Sequence, residues 1–163
     1  MNEADTQVLS EPHWIDRDTL AGIATDAAAA MFSLPLSVVD ETDDAHLAQT
    51  HSGASSRHVV ILRLHGVPAI FLSLACSHAA GAEIASVIFE VDRKHADASM
   101  IDDSLRELAN IFAGQVKSMM APDHEIGLPR VQKDLTALHA HDWHGVSLRI
   151  GEGEQVLDLA VAA

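Results

Sequence analysis

Apolar residues return at helical spacing in two long stretches of the chain, and they alternate or cluster as strands in between and afterwards. From Asp16 or Asp18, DRDTLAGIATDAAAAMF carries Leu20, Ile23, Ala27 and Met31 at steps of three and four behind an acidic first turn, which predicts a helix ending before Pro35. From Ser99 to Met120, Ile101, Leu105, Leu108, Phe112, Val116 and Met119 form the apolar stripe of a second, longer helix. Between them, LPLSVVDE reads as a short strand and ETDDAHLAQTHSGASS as a polar connector. RHVVILRLH and PAIFLSLACS, turning at Gly66-Val67-Pro68, read as a hairpin at the middle of a sheet. In SHAAGAEIASVIFEV the spacing of Ala80, Ile84, Val87 and Ile88 predicts a short connecting helix, with VDRKHADA as its exit loop. APDHEIG then turns the chain at Pro122 and Gly127, LPRVQ begins a strand, and DWHGVSLRIG with EQVLDLAVA makes a closing hairpin about GEG.

This order, helix and three strands, a connecting helix, then helix and three strands again, reads as a duplicated unit. Ser33-Leu34-Pro35 and Gly127-Leu128-Pro129 follow the two long helices as similar tripeptides, although the intervals differ. Two helices with one apolar stripe apiece need a shared surface, and six strands supply it. The expected fold is therefore α+β: a six-stranded, largely antiparallel sheet with both long helices packed on one face. At 163 residues and 48% hydrophobic content, the chain has the size of one domain with a real core, spanning residues 1 to 163. Residues 1 to about 14 are expected to form a loose arm that Trp14 tacks onto the body.

Charge narrows the range of partners. The formal net charge is −14, and the first fifty residues hold ten acids against the single basic Arg17. Such a surface repels phosphate backbones and anionic lipid, so neither nucleic acid nor membrane is an expected partner. The single cysteine, Cys76, has no partner within the chain and lies in the apolar run IFLSLACS, which suits a reducing setting and a core position. The acidic, polar opening MNEADTQVLSEP has no basic and apolar leader, so a cytoplasmic location is expected.

The polar side of the second long helix carries the chemistry. Asp103, Glu107, Asn110 and Gly114 follow one another at steps of four, three and four, forming a second stripe that points away from the apolar one. Relative to Ala, Asn costs about 0.5 kcal/mol and Gly about 1 kcal/mol inside a helix, and a solvent-facing row that holds both has no packing return. Local rules broken without compensation point to function. A duller reading competes with this one, because Ser104-x-x-Glu107 is also a capping-box pattern. Ser99-x-x-Asp102 offers an earlier cap, and a helix that begins near Ser99 leaves Glu107 two turns in with no free backbone donor. Asp103 is flanked by Asp102 and Ser104, any of which could serve a cap.

On these residues the sequence resembles the CheX branch of the CheC, CheX and FliY chemotaxis phosphatases. The stretch DDSLRELANIFAGQVKSMM followed by GLPRV is similar to the family's helix-and-strand signature, with Asp103, Glu107, Asn110 and Pro129 on the pattern and Gly114 on a frequent family glycine. The resemblance implies a phosphatase that hydrolyses the aspartyl phosphate of a CheY-like response regulator. It implies that Asn110 orients the attacking water and that Glu107 pairs with a regulator lysine, while Asp103, Gly114 and Lys117 border the partner. It also implies no cofactor or metal of the chain's own, with Mg2+ in the regulator's acidic pocket, and a homodimer. Two-site relatives carry a Glu and Asn pair on the first long helix as well. Aligned from Leu20 and Leu105, this chain has Gly22 and Thr25 there, so one active surface is expected.

Two other readings stand beside this one. A non-catalytic domain could use the same helix to dock a regulator or another signalling partner. Eleven histidines raise the question of a metal, and His139-x-His141-x-x-His144 is the only tight group. With no Cys and no carboxylate nearby except Asp142, a polar loop before a strand is the simpler account. Lys117 and Ser118 fit a solvated helix face, and Pro129 fits a strand edge.

Overall fold

The computed structural model describes residues 15–39, 57–134, 138 and 141–163. The N-terminal arm with Trp14 and the whole polar connector, residues 41–56, lie outside these. Helix α1 spans Arg17–Phe32 and is capped by Asp16, whose Oδ1 accepts from the Thr19 backbone N–H at 2.8 Å. This bond and the Thr19 hydroxyl hold the Asp16 carboxyl below its ordinary value. At the other end Ser33 takes a left-handed conformation (φ 53°), and the Leu34 N–H reaches back to the Ala28 carbonyl at 3.1 Å. Met31, expected in the apolar stripe, is 61% exposed. The reversal at Ser33 returns Leu34 to the core at the end of the helix, and Leu34 is fully buried where Met31 was expected.

Strands β1 (Leu36–Val38), β2 (Arg57–His65) and β3 (Ile70–Ser77) follow. Next come helix α2 (His78–Ile88), capped by Ser77, and a single 3-10 turn at Arg93–His95. Helix α3 (Ala98–Met120) leads into β4 (Glu125–Ile126), β5 (Arg130–Val131), β6 (His144–Ile150) and β7 (Val156–Ala162). The sheet is ordered β1-β6-β7-β3-β2-β4, with β5 also on β2, and every pairing is antiparallel. Of the expected central hairpin, β3 lies at the middle of the sheet and β2 next to its edge.

The count is seven strands where six were expected, because the edge beside β2 is built in two pieces. Within the stretch read as a turn, Glu125 and Ile126 pair with His65 and Leu64; Arg130 and Val131 then pair with Ile61 and Val60. Pro129 has no N–H to offer the ladder between them. Gly127 donates its N–H to the Arg63 carbonyl at 2.8 Å, and a Cβ there would come within 2.6 Å of that oxygen, so only glycine allows the approach.

One core joins all three helices to the sheet. Leu20, Ile23, Ala24 and Ala28 of α1, Ala80 and Ile84 of α2, and Ile101, Leu105, Leu108, Phe112 and Val116 of α3 pack with Val60, Leu62, Leu72, Leu74, Leu148, Leu157 and Leu159. Alternation along the strands sends the intervening residues to the opposite side. There Val59, Ala75 and Leu138 form a smaller cluster with Ile61 and Trp143. Asp158 is buried on that side too, accepting from the Ser147 hydroxyl at 2.6 Å and from Arg57 Nη2 at 2.9 Å. Among the described residues no helix is long and apolar enough to cross a membrane.

Candidate functional site

Helix α3 starts earlier than its sequence suggests. The cap is Asp97, with Oδ1 accepting from the Met100 N–H at 2.9 Å, and Ser99 is already inside the helix. Glu107 therefore lies more than two turns in, where every backbone N–H is bonded within the helix, and the capping-box account of it falls away. Ser104 is buried, and its hydroxyl donates to the Met100 carbonyl at 2.8 Å. Met119, expected in the apolar stripe, is 58% exposed, and the burial along that stripe ends at Val116.

Asp103, Glu107 and Asn110 are exposed, and Gly114 is half-exposed. Asp103 is held by Arg106 one turn on, with Nη1 donating to Oδ1 at 2.5 Å. The side chains of Glu107 and Asn110 make no hydrogen bond or ion pair with any described residue. They stand side by side on a helix whose other face is anchored by Phe112, Leu105 and Leu108, each fully buried. A carboxylate and a carboxamide held in this way on a rigid element keep their lone pairs and N–H groups open to solvent. At Gly114 an added Cβ would meet nothing within 4 Å, so nothing within the described chain requires glycine there. Lys117 is half-buried, and its Nζ donates to the Pro122 carbonyl at 2.8 Å, closing the end of the helix.

On α1 the matching positions differ in kind. Gly22 is open around its Cα, and the Thr25 hydroxyl turns inward to the Gly22 carbonyl at 3.2 Å.

Of the histidines expected to form a loop, His139 lies outside the described residues. His141 stacks on Phe71 with ring centroids 4.4 Å apart and meets Trp143 edge-on, and His144 opens β6. Among the described residues no group of three His, Cys, Asp or Glu side chains is placed to hold a metal ion. Cys76 is buried, and burial pushes its thiol up to about 12, which leaves it without thiolate character.

A polar chain that sequence reading missed crosses the first turns of α2 and α3. His58 of β2 donates from Nδ1 to Asp102 Oδ1 at 2.8 Å, and its Nε2 lies 3.2 Å from His78 Nδ1. These residues are 44 and 20 positions apart, so no local pattern signals them.

The family described as chemotaxis phosphatase CheX matches residues 58–148, a span that contains all of α3. Among solved structures, the CheX chemotaxis protein of Vibrio vulnificus has a TM-score of 0.64 at 13% identity, over 89% of this chain and 93% of that one. A CheX–CheY–BeF3–Mg2+ complex from Borrelia burgdorferi gives 0.60 at 14% identity, over 88% of this chain and 94% of the matched chain. A FliM–SpeE complex from H. pylori gives 0.60 at 9% identity, over 89% and 82%. At such identities the likeness is one of fold. No curated protein sequence matches the chain.

Proposed function

Because the chain belongs to the CheX family of chemotaxis phosphatases, we propose that it hydrolyses the aspartyl phosphate of a CheY-like response regulator through the exposed row of α3. The observation that carries this reading is that Glu107 and Asn110 stand exposed and unengaged, one turn apart, at the middle of a helix fixed by its buried face. An acyl phosphate is already reactive, so a catalyst has mainly to hold water in line with phosphorus and tolerate spreading negative charge. The neutral amide of Asn110 both accepts from and donates to that water without repelling the phosphoryl group. Glu107, a carboxylate, serves better by pairing with a regulator lysine, which aligns Asn110 and loosens that lysine's hold on the phosphoryl oxygens. Asp103 and Lys117 border the contact, and Gly114 leaves room for the partner's backbone.

Mg2+ belongs to the regulator on this account, and the chain works in the cytoplasm beside it. Support for a regulator as partner comes from the solved complex of a CheX with a CheY, BeF3 and Mg2+, whose CheX fold this chain shares. The duplicated-unit reading draws support from the sheet. If strands are counted within each helix-led run, with β4 and β5 as one, the order across the sheet is first, second, third, third, second, first, and the outer strands are exchanged between runs. One copy of the helix kept the pair and the other did not.

A second reading, a docking domain without catalysis, is favoured by the presence of the same fold in a FliM–SpeE complex. One titration separates the two. On the phosphatase reading, the wild type shortens the lifetime of a phosphorylated regulator while Asn110→Ala still binds it without shortening that lifetime. Binding by the wild type with an unchanged lifetime would establish the docking domain instead.

A further inference from the structure

Along the flank of α3 that faces α1 runs an open groove of about 470 Å3, lined in part by Gly22, Ile23, Asp26, Ala30, Gln115 and Met119. The carboxylate of Asp26 is the only charge among its described lining residues, and Asp26 is exposed with no hydrogen bond or ion pair to any described residue. Ile23, Ala30 and Met119 give it apolar walls, and a Cβ at Gly22 would project into empty space. A single exposed methionine or a single aspartate on an acidic chain would be ordinary. Here an apolar wall ends at an unneutralised carboxylate, inside a concavity large enough for several side chains.

That combination complements one kind of occupant. Lysine and arginine carry an apolar stem and a cationic head, and a helix that presents such a residue among apolar neighbours lays one face into a groove of this kind. Gln115 and Met119 lie about a third of a turn or more round α3 from the Asp103 to Gly114 row, on the side of α1, so a body seated on that row and broad enough to reach α1 covers the groove. Resting on the regulator reading above, we infer that the groove is a second contact for the same response regulator. A basic amphipathic helix of the regulator seats its cation against Asp26 and its apolar residues against Ile23, Ala30 and Met119. This contact is remote from the reacting atoms, so it is made equally in the bound and transition states and governs KM rather than kcat.

The test is steady-state dephosphorylation of the source organism's CheY-like regulators, each phosphorylated with acetyl phosphate and Mg2+, by the wild type and by Gly22→Leu, Asp26→Lys, Asp26→Asn and Asn110→Ala. At Gly22 an added Cβ meets nothing within 4 Å and the position lines the groove, so Gly22→Leu narrows the groove while improving helix propensity, and its melting temperature should match or exceed that of the wild type. Gly22→Leu and Asp26→Lys should each raise KM about tenfold with kcat retained, Asp26→Asn about threefold with a weaker salt dependence, and Asn110→Ala should abolish kcat. Unchanged KM in both Gly22→Leu and Asp26→Lys, or a fall in kcat alone, overturns the groove contact and leaves the site reading standing. If the wild type accelerates none of the regulators, both fall.

Discussion

Helices α1 and α3 put the same design to different uses. Each is capped by an aspartate, turns an apolar face to the shared core and exposes a polar face. On α3 the core face is built from Ile101, Leu105, Leu108, Phe112 and Val116, all essentially without exposure. On α1 it is Leu20 and Ile23 among alanines. Large side chains bury more apolar area, so α3 is held more firmly, at roughly 25 cal/mol per Å2 of apolar surface removed from water. Both helices spend propensity on an open glycine, Gly22 and Gly114, and the firmly held one spends it on Asn110 as well. The lesson is that a helix can present costly polar residues in a fixed geometry when its opposite face is anchored strongly enough to absorb the cost.

That contrast can be broken by perturbing the anchors. Phe112→Ala should cost about 3–5 kcal/mol of unfolding free energy, measured by denaturant titration, since Phe112 is fully buried. In native-state hydrogen exchange, amides in the middle of α1 should exchange before those in the middle of α3; the reverse order would remove the asymmetry of anchoring. The caps come next. Asp97→Ala should destabilise by about 1 kcal/mol at neutral pH. Asp16→Ala should lower the melting temperature as well, with a definite pH dependence. The folded-state pKa of Asp16 is depressed, so its contribution is fully present above the ordinary carboxylate range and is lost as pH falls through the folded value. The melting temperatures of the wild type and Asp16→Ala should therefore converge in acid.

Smaller effects sharpen the comparison of the two open glycines. Gly22→Ala and Gly114→Ala should each stabilise by about 0.5–1 kcal/mol in thermal unfolding, because neither added Cβ meets a neighbour within 4 Å. A loss of stability at Gly114 would mean that the glycine serves the fold rather than an outside partner.

Much of this was legible in the sequence because α3 has a long run of period 3.6 with large apolar residues, and its exposed row stands opposite them. The start of α3 falls within one residue of the Ser99 that the sequence indicates, and the cap is Asp97 rather than Ser99 because Asp97, Ser99 and Ser104 are all good caps among which local sequence does not choose. Met31 and Met119 fit the apolar period but lie where a helix end turns away from the core, and periodicity carries no signal of where burial stops. The two-residue strands β4 and β5 are too short to show alternation and exist only because β2 offers an edge. Both His58–Asp102–His78 and the α1–α3 groove depend on contacts between distant elements, which no local pattern records.

The central claim is that the reactive row lies on α3 alone. Its most direct test is the single-turnover dephosphorylation rate of a cognate phosphorylated regulator, measured side by side for the wild type, Asn110→Ala and Thr25→Ala. The account predicts that Asn110→Ala slows the accelerated rate by about 100-fold or more, to the regulator's spontaneous rate, while Thr25→Ala matches the wild type. An Asn110→Ala protein that is as fast as the wild type, or a Thr25→Ala protein that is equally impaired, would contradict it.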